Sequence, residues 1–425
     1  MSVLDITRWN PTTLFSVVPT AAYQQDPYPF LAELRKHHPV FRSARGSWVL
    51  TRHADVATVV RDQALSNDPH RSGLHEHYLR SRTDDTLGER ALGHLQFLDA
   101  PDHGRIRDEL VAPFTGRAVE RLRPVVQAHV DRLLNAAGRS EGPVDLVSAL
   151  AYPLPLAVIL ELVGLPTQDA PRIERWTRLL IANDDPDFLV GDRQRAEAAV
   201  AATEFGRYLS RHAVRCGRDG GEGLLGALVG AHQGGRLDVT EVVVNVMFVV
   251  VASLETTAGL ITNGMHALFA DPAALERWRA EPGLDRSGVE ELLRFDSPIQ
   301  YTPRFTTEEY EVAGTTIPAG AHLMALLGAA NRDPDAFAGP DRLELDRTGG
   351  RRHLAFGGGA HFCIGSVLAR LEGQLLIPGL IRRFPDMRPA GTPRRREMFT
   401  LRGFDTMPVS LHGRSPVATR RRPAQ

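Results

Sequence analysis

Cysteine and lysine are the scarce residues in this chain of 425. With only Cys216 and Cys363, no disulfide framework is available, and a reduced, cytoplasmic setting is expected. Cys216 lies in a polar stretch with Arg215, Gly217, Arg218 and Asp219 and reads as a bystander thiol. Lys36 is the sole lysine, so the 50 basic residues are nearly all arginine, and 51 acidic residues bring the net charge to -1. That balance leaves no global field to attract nucleic acid or an anionic membrane. Long hydrophobic runs are missing too. The most apolar one, Val242 to Ala252, is interrupted by Asn245 and is too short to span a bilayer. Met1 to Pro19 lacks the basic and apolar regions of a signal peptide, and no repeat or Ser/Gly linker divides the chain. Arg414 to Gln425 is rich in arginine and proline and is expected to be a disordered tail.

What is present is helical periodicity. Val119 to Ala137, Ala198 to Val214, Asp238 to Ala270, Ser287 to Phe295 and Val367 to Phe384 carry apolar residues at three- and four-residue spacing. Asp238 and Glu241 offer a capping box at the start of the longest of these. Ser47 to Thr51, Tyr310 to Ile317 and Met407 to Leu411 are short, β-branched or apolar, and bounded by turn residues, so they read as strands. The fold class is therefore mainly α with small peripheral β-sheets.

One loop carries the chemistry. Phe356, Gly357, Gly358, Gly359, Ala360, His361, Phe362, Cys363, Ile364 and Gly365 open directly into a helical pattern. The glycines allow close backbone approach to a flat ligand, and a helix N-terminus beside the sulfur favours its anionic form. The spacing Phe356-x-x-Gly359-x-His361-x-Cys363-x-Gly365, with His353 before it and Leu368 to Glu372 after it, resembles the haem-binding signature of the cytochromes P450. The resemblance extends from about Asp26 to Leu411 and implies one domain over residues 1–413. It also implies that family's fold, with haem b held between the long central helix and the Cys363 loop. Cys363 is then the axial iron ligand, whose thiolate favours O–O bond cleavage.

Inside the central helix, Ala252, Ser253, Leu254, Glu255, Thr256 and Thr257 are similar to the family's oxygen-activation segment, with Ser253 where glycine is usual. The resemblance assigns Glu255 and Thr256 to proton delivery and brings Ala252 to the cofactor. The same residues also admit a plainer reading, in which Thr256 bonds a carbonyl one turn back and Glu255 pairs with an arginine. Asn245, Phe248, Ala252, Thr256 and Gly259 fall on one helical stripe, expected to face the haem.

Two haem propionates need charged partners, and the resemblance points to His103, Arg107, Arg304 and His353. Phe356 and Gly365 complete the cofactor contacts. Glu291, Arg294 and Arg342 match the family's structural ion triad. The resemblance draws the substrate pocket from Phe97, Leu98, Phe248, Val249, Ser253, Ile299, Gln300, Thr400 and Leu401, which implies a sizeable lipophilic substrate. Asp184, Asp185 and Asp187 read as a solvated loop, or else as recognition of an amine. Arg105, Arg117, Arg351 and Arg352 are candidates for docking an acidic ferredoxin served by an NAD(P)H-dependent reductase. The implied activity is a monomeric haem-thiolate monooxygenase that hydroxylates or epoxidises a natural product. Oxidative C–C or C–O coupling and a non-catalytic haem-thiolate sensor are the alternatives.

Overall fold

The computed structural model describes residues 17–72, 93–186, 189–348 and 352–412. Helices dominate: α1 (Asp102–Leu110), α2 (Gly116–Ala137), α3 (Pro153–Val163), α4 (Ala170–Ile181), α5 (Asp192–Asp219), α6 (Val239–Ala270), α7 (Asp285–Phe295) and α8 (Ser366–Arg383) frame the molecule. Asp238 accepts from the Glu241 amide while the Glu241 side chain accepts from the Asp238 amide, so α6 starts at the expected capping box.

Helix α6 runs for 32 residues and is apolar around most of its circumference. It is long and apolar enough to cross a membrane, yet 72% of its most apolar window is buried inside the fold. Val246, Val250, Leu254, Leu260 and Ile261 pack into the main core with residues of α2, α3 and α8. Full burial of one such side chain contributes about 1.5–3 kcal/mol, which offsets the entropy of ordering the helix. The apolar run was thus longer than Val242 to Ala252 indicated, and its hydrophobicity serves the core.

The strands are peripheral. A five-stranded sheet has the order β1 (Val40–Arg42), β2 (Trp48–Leu50), β5 (His322–Ala325), β4 (Thr302–Thr306) and β3 (Leu65–Ser66), all antiparallel except the β2 and β5 pair. Tyr310–Val312 and Thr315–Ile317 form a hairpin, closed by Ala313 and Gly314 at positive φ. Pro408–Ser410 joins Val144–Asp145 and Arg388–Pro389 in a third sheet.

The ion triad forms with one change of member. Arg294 donates Nε and Nη2 to the two Glu291 oxygens at 2.7 Å each, and both side chains are 2% exposed. The third partner is Arg347, whose Nε lies 3.1 Å from both carboxylate oxygens. Arg342 does not take part through its side chain, which is 75% exposed and pairs with Glu344. Its backbone carbonyl instead accepts from Arg294 Nη2 at 3.1 Å, so the chain turns its main chain inward there and the guanidinium outward.

Candidate functional site

A cavity of about 1150 Å³ separates the Cys363 loop from α6 and is lined by Cys363 on one wall and by Ala252, Ser253 and Thr256 on the other. The loop is shaped by its glycines. Gly359 sits at φ +66°, and a Cβ there would come within 2.8 Å of the Arg61 Cα. Close approach to neighbouring backbone, as well as to a ligand, thus requires glycine at that position. The Cys363 amide donates to the Phe356 carbonyl at 3.1 Å, and α8 begins three residues later at Ser366. Cys363 opens onto the cavity, yet the protein packed around it pushes its thiol up, against the amides of Gly365 and Ser366 and the guanidinium groups of Arg107 and Arg370. A bound iron cation would deprotonate such a thiol outright.

Beside the sulfur lies a cradle of nitrogen donors. His103 and His361 rings stand 4.0 Å apart, and His103 Nε2 is buried with no partner among the described residues. Arg304 is 3% exposed and burial pushes it down to about 10. Arg107 Nη2 donates to the Phe362 carbonyl at 2.9 Å. Burial, then His103, Arg304 and Arg107, push His361 down to about 3, so its ring is neutral at pH 7. Two buried donors, His103 and Arg304, and two half-buried ones, Arg107 and His361, gathered next to one thiol fit a planar cofactor bearing two carboxylates. His353 is not among them, since it pairs with Glu290 at 3.1 Å and its Nδ1 accepts from the Ala355 amide. His361 occupies the position expected for it. Its place two residues before Cys363 was the available signal.

On the opposite wall the two hydroxyls are turned back onto their helix. Ser253 Oγ donates to the Val249 carbonyl at 2.6 Å and Thr256 Oγ1 to the Ala252 carbonyl at 2.7 Å. Glu255 is 2% exposed, and one carboxylate oxygen accepts from both Tyr152 and Arg396. In this conformation, therefore, the plainer readings of Thr256 and Glu255 describe their contacts. A second carboxyl carried no role on sequence alone: Glu372 on α8 borders the same cavity, with Oε2 buried and without a partner among the described residues. Burial pushes it up to about 8, opposed by a hydrogen bond to Thr257.

Among the expected pocket residues, Phe97, Phe248, Val249, Ser253, Ile299, Thr400 and Leu401 line the cavity, as do Phe356, Gly365 and Ala252. Leu98 and Gln300 do not. Leu98 packs on the main core, and Gln300 donates Nε2 to the Ser297 carbonyl at 2.7 Å. Only the middle of the helical stripe faces the cavity, because Asn245 accepts from the Leu95 amide and Gly259 lies against Pro298 and the Arg402 carbonyl. His94, not foreseen, stacks on Phe248 with ring centroids 4.4 Å apart. Asp185 is buried and accepts from the Phe399 and Thr400 amides, so it clamps two loops and is not solvated. Arg105 is held by Asp102 and Glu241. Asp187 and Arg351 lie outside the described residues.

The family model described as Cytochrome P450 matches residues 286–404. Cytochrome P450 107B1 of Saccharopolyspora erythraea is 37% identical, covering 91% of this chain and 96% of its own. Cytochrome P450 monooxygenase PikC of Streptomyces venezuelae is also 37% identical, with 91% of each chain covered. The crystal structure of epothilone D-bound cytochrome P450epoK superposes with a TM-score of 0.86 at 30% identity, over 93% of this chain and 99% of the other. The chain belongs to the cytochrome P450 family: it is a haem enzyme with a cysteine thiolate as axial ligand, an oxidoreductase of the monooxygenase type.

Proposed function

We propose that this monooxygenase hydroxylates or epoxidises a sizeable lipophilic natural product in the cytoplasm, with electrons from a separate ferredoxin and its NAD(P)H-dependent reductase. The observation that carries the reading is the apolar wall of Phe97, Phe248, Val249, Ile299 and Leu401 in the cavity that Cys363 lines. Relatives named PikC, a monooxygenase, and PksS, of polyketide biosynthesis, support the natural-product class. Haem with an axial thiolate supplies O–O bond cleavage. Cys363 holds the iron, while His103, Arg107, Arg304 and His361 receive the propionates.

The remaining chemistry is proton handling. Thr256 stands on the cavity wall and can exchange its bond to the Ala252 carbonyl for one to a water. Glu255 reaches that path by leaving Arg396 and Tyr152. Glu372 closes the cavity from α8 with a second carboxyl, protonated at pH 7. The experiment is turnover under ¹⁸O₂ with ferredoxin, reductase and NADPH on a library of lipophilic metabolites. A product heavier by one labelled oxygen is expected. A product that has lost two hydrogens and gained no label would indicate coupling, and spectral binding without any turnover would indicate a sensor.

A further inference from the structure

The cavity does not end above Cys363. One face of α5 continues it, with Ala196, Ala199, Val200 and Thr203 lining it at three- and four-residue spacing and Arg207 one turn beyond Thr203. From Ala196 to Arg207 the helix advances roughly 16 Å. The stretch is small and apolar until Thr203, then ends on an exposed guanidinium.

Several other charged side chains of the lining each have a partner, a carboxylate, a guanidinium or a backbone carbonyl among them. Arg304 donates to the Pro303 and Val60 carbonyls, Arg107 donates to the Phe362 carbonyl, and Arg195 pairs with Asp192 at 2.9 Å. Glu204 accepts from Trp176 Nε1 at 2.7 Å and Arg175 Nη2 at 3.3 Å, and Glu255 is held by Arg396 and Tyr152. Asp184 also has a partner. Arg207 makes no hydrogen bond or ion pair among the described residues, nor does Arg211 on the next turn of the same face. On α5 the cavity lining therefore ends on Arg207, a guanidinium with no carboxylate partner among the described residues.

We propose that the substrate is an elongated lipophilic molecule with an anionic terminus, a carboxylate or a phosphate, which Arg207 receives at the rim. Its apolar body extends between α5 and α6 toward Cys363. The assignment rests on the haem-thiolate reading of the cavity. At the rim the anion keeps part of its hydration, so pairing with Arg207 avoids the desolvation cost of a buried ion pair. Arg211 adds to the field that orients the approaching head group.

Straight-chain acids from octanoic to hexadecanoic and their methyl esters test this, because they share a tail and differ in charge. They are titrated into the haem-loaded full chain, with the haem absorption band as readout. The acids should bind more tightly than the esters, and added salt should weaken only the acids. Arg207→Ala should raise the Kd of the tightest acid on the order of fivefold, and Arg207→Glu should raise it further, with the ester within about twofold of its original value. Hexadecyl phosphate in parallel separates the two head groups: the one losing more affinity with Arg207→Glu is the better match. Equal affinity for acid and ester, Arg207 variants that shift both alike, or no response to any member of the series would each overturn the proposal. The carbon monoxide spectrum of the reduced protein is recorded first. If it lacks the thiolate band, the haem-thiolate reading itself fails; an intact band without acid preference defeats the Arg207 assignment alone.

Discussion

On the Cys363 side of the cavity, charges meet at short range. Glu291 takes two donors of Arg294 and one of Arg347, and Glu290 joins Arg370 to His353. On the α6 side the wall is Phe248, Val249 and Ala252, and the hydroxyls of Ser253 and Thr256 bond within their own helix. Directional bonds from planar guanidinium groups admit one geometry, whereas hydrophobic contact has no direction and accepts several shapes. The thiolate side is thus built to hold one loop still, and the substrate side can be reshaped without disturbing it.

The largest effect expected from this contrast is all or none. Cys363→Ser should abolish the red-shifted carbon monoxide band of the reduced protein, and a retained band would place the thiolate elsewhere. Next comes the ion network. Glu291→Ala strands Arg294 in the interior and should cost about 3–5 kcal/mol in urea unfolding, while Arg342→Ala, at an exposed side chain, should stay within about 0.5 kcal/mol. Equal losses at the two positions would restore Arg342 to the triad.

Glu372 tests the other wall through pH. Its folded pKa of about 8 lies above the unfolded value of 4.5, so its protonated form stabilises the fold fully below pH 4.5. That contribution is lost as pH rises through about 8. Glu372→Gln should therefore gain stability relative to the unmodified protein between pH 4.5 and 8, by a few kcal/mol at the upper end. A constant difference across that range would mean the carboxyl is not buried neutral. The smallest structural effect belongs to Thr256→Ala, which removes a hydroxyl whose partner is in its own helix. Stability and haem content should hardly change while reductant is diverted from product to peroxide; unchanged coupling would remove Thr256 from proton delivery.

Some of this could be read from residues in order. The capping box at Asp238 and Glu241 and the apolar periodicity after it gave α6 its start and extent, because capping and helical packing depend on near neighbours. The Cys363 loop was legible for the same reason, with its glycines and sulfur in one continuous stretch. Arg342 was misjudged because the loop that carries it turns its carbonyl to Arg294, and Arg347 reaches Glu291 from beyond the turn. Gln300 was misjudged because the resemblance brings its segment to the pocket without revealing which neighbour, here the Ser297 carbonyl, claims its side chain. Glu372 was quoted in the motif and given no role, since burial on a helix face is invisible without the elements packed against it.

By itself, then, the sequence determined the helical class, the central helix and the thiolate loop, all of which follow from short-range spacing and capping. The tertiary structure decided which arginine completes the triad, which histidine joins the cradle, that Glu255 is tied to Arg396 and Tyr152, and that Arg207 has no partner among the described residues. Those outcomes depend on long side chains meeting partners distant in the chain, and only the packed fold sets which of them come within bonding distance.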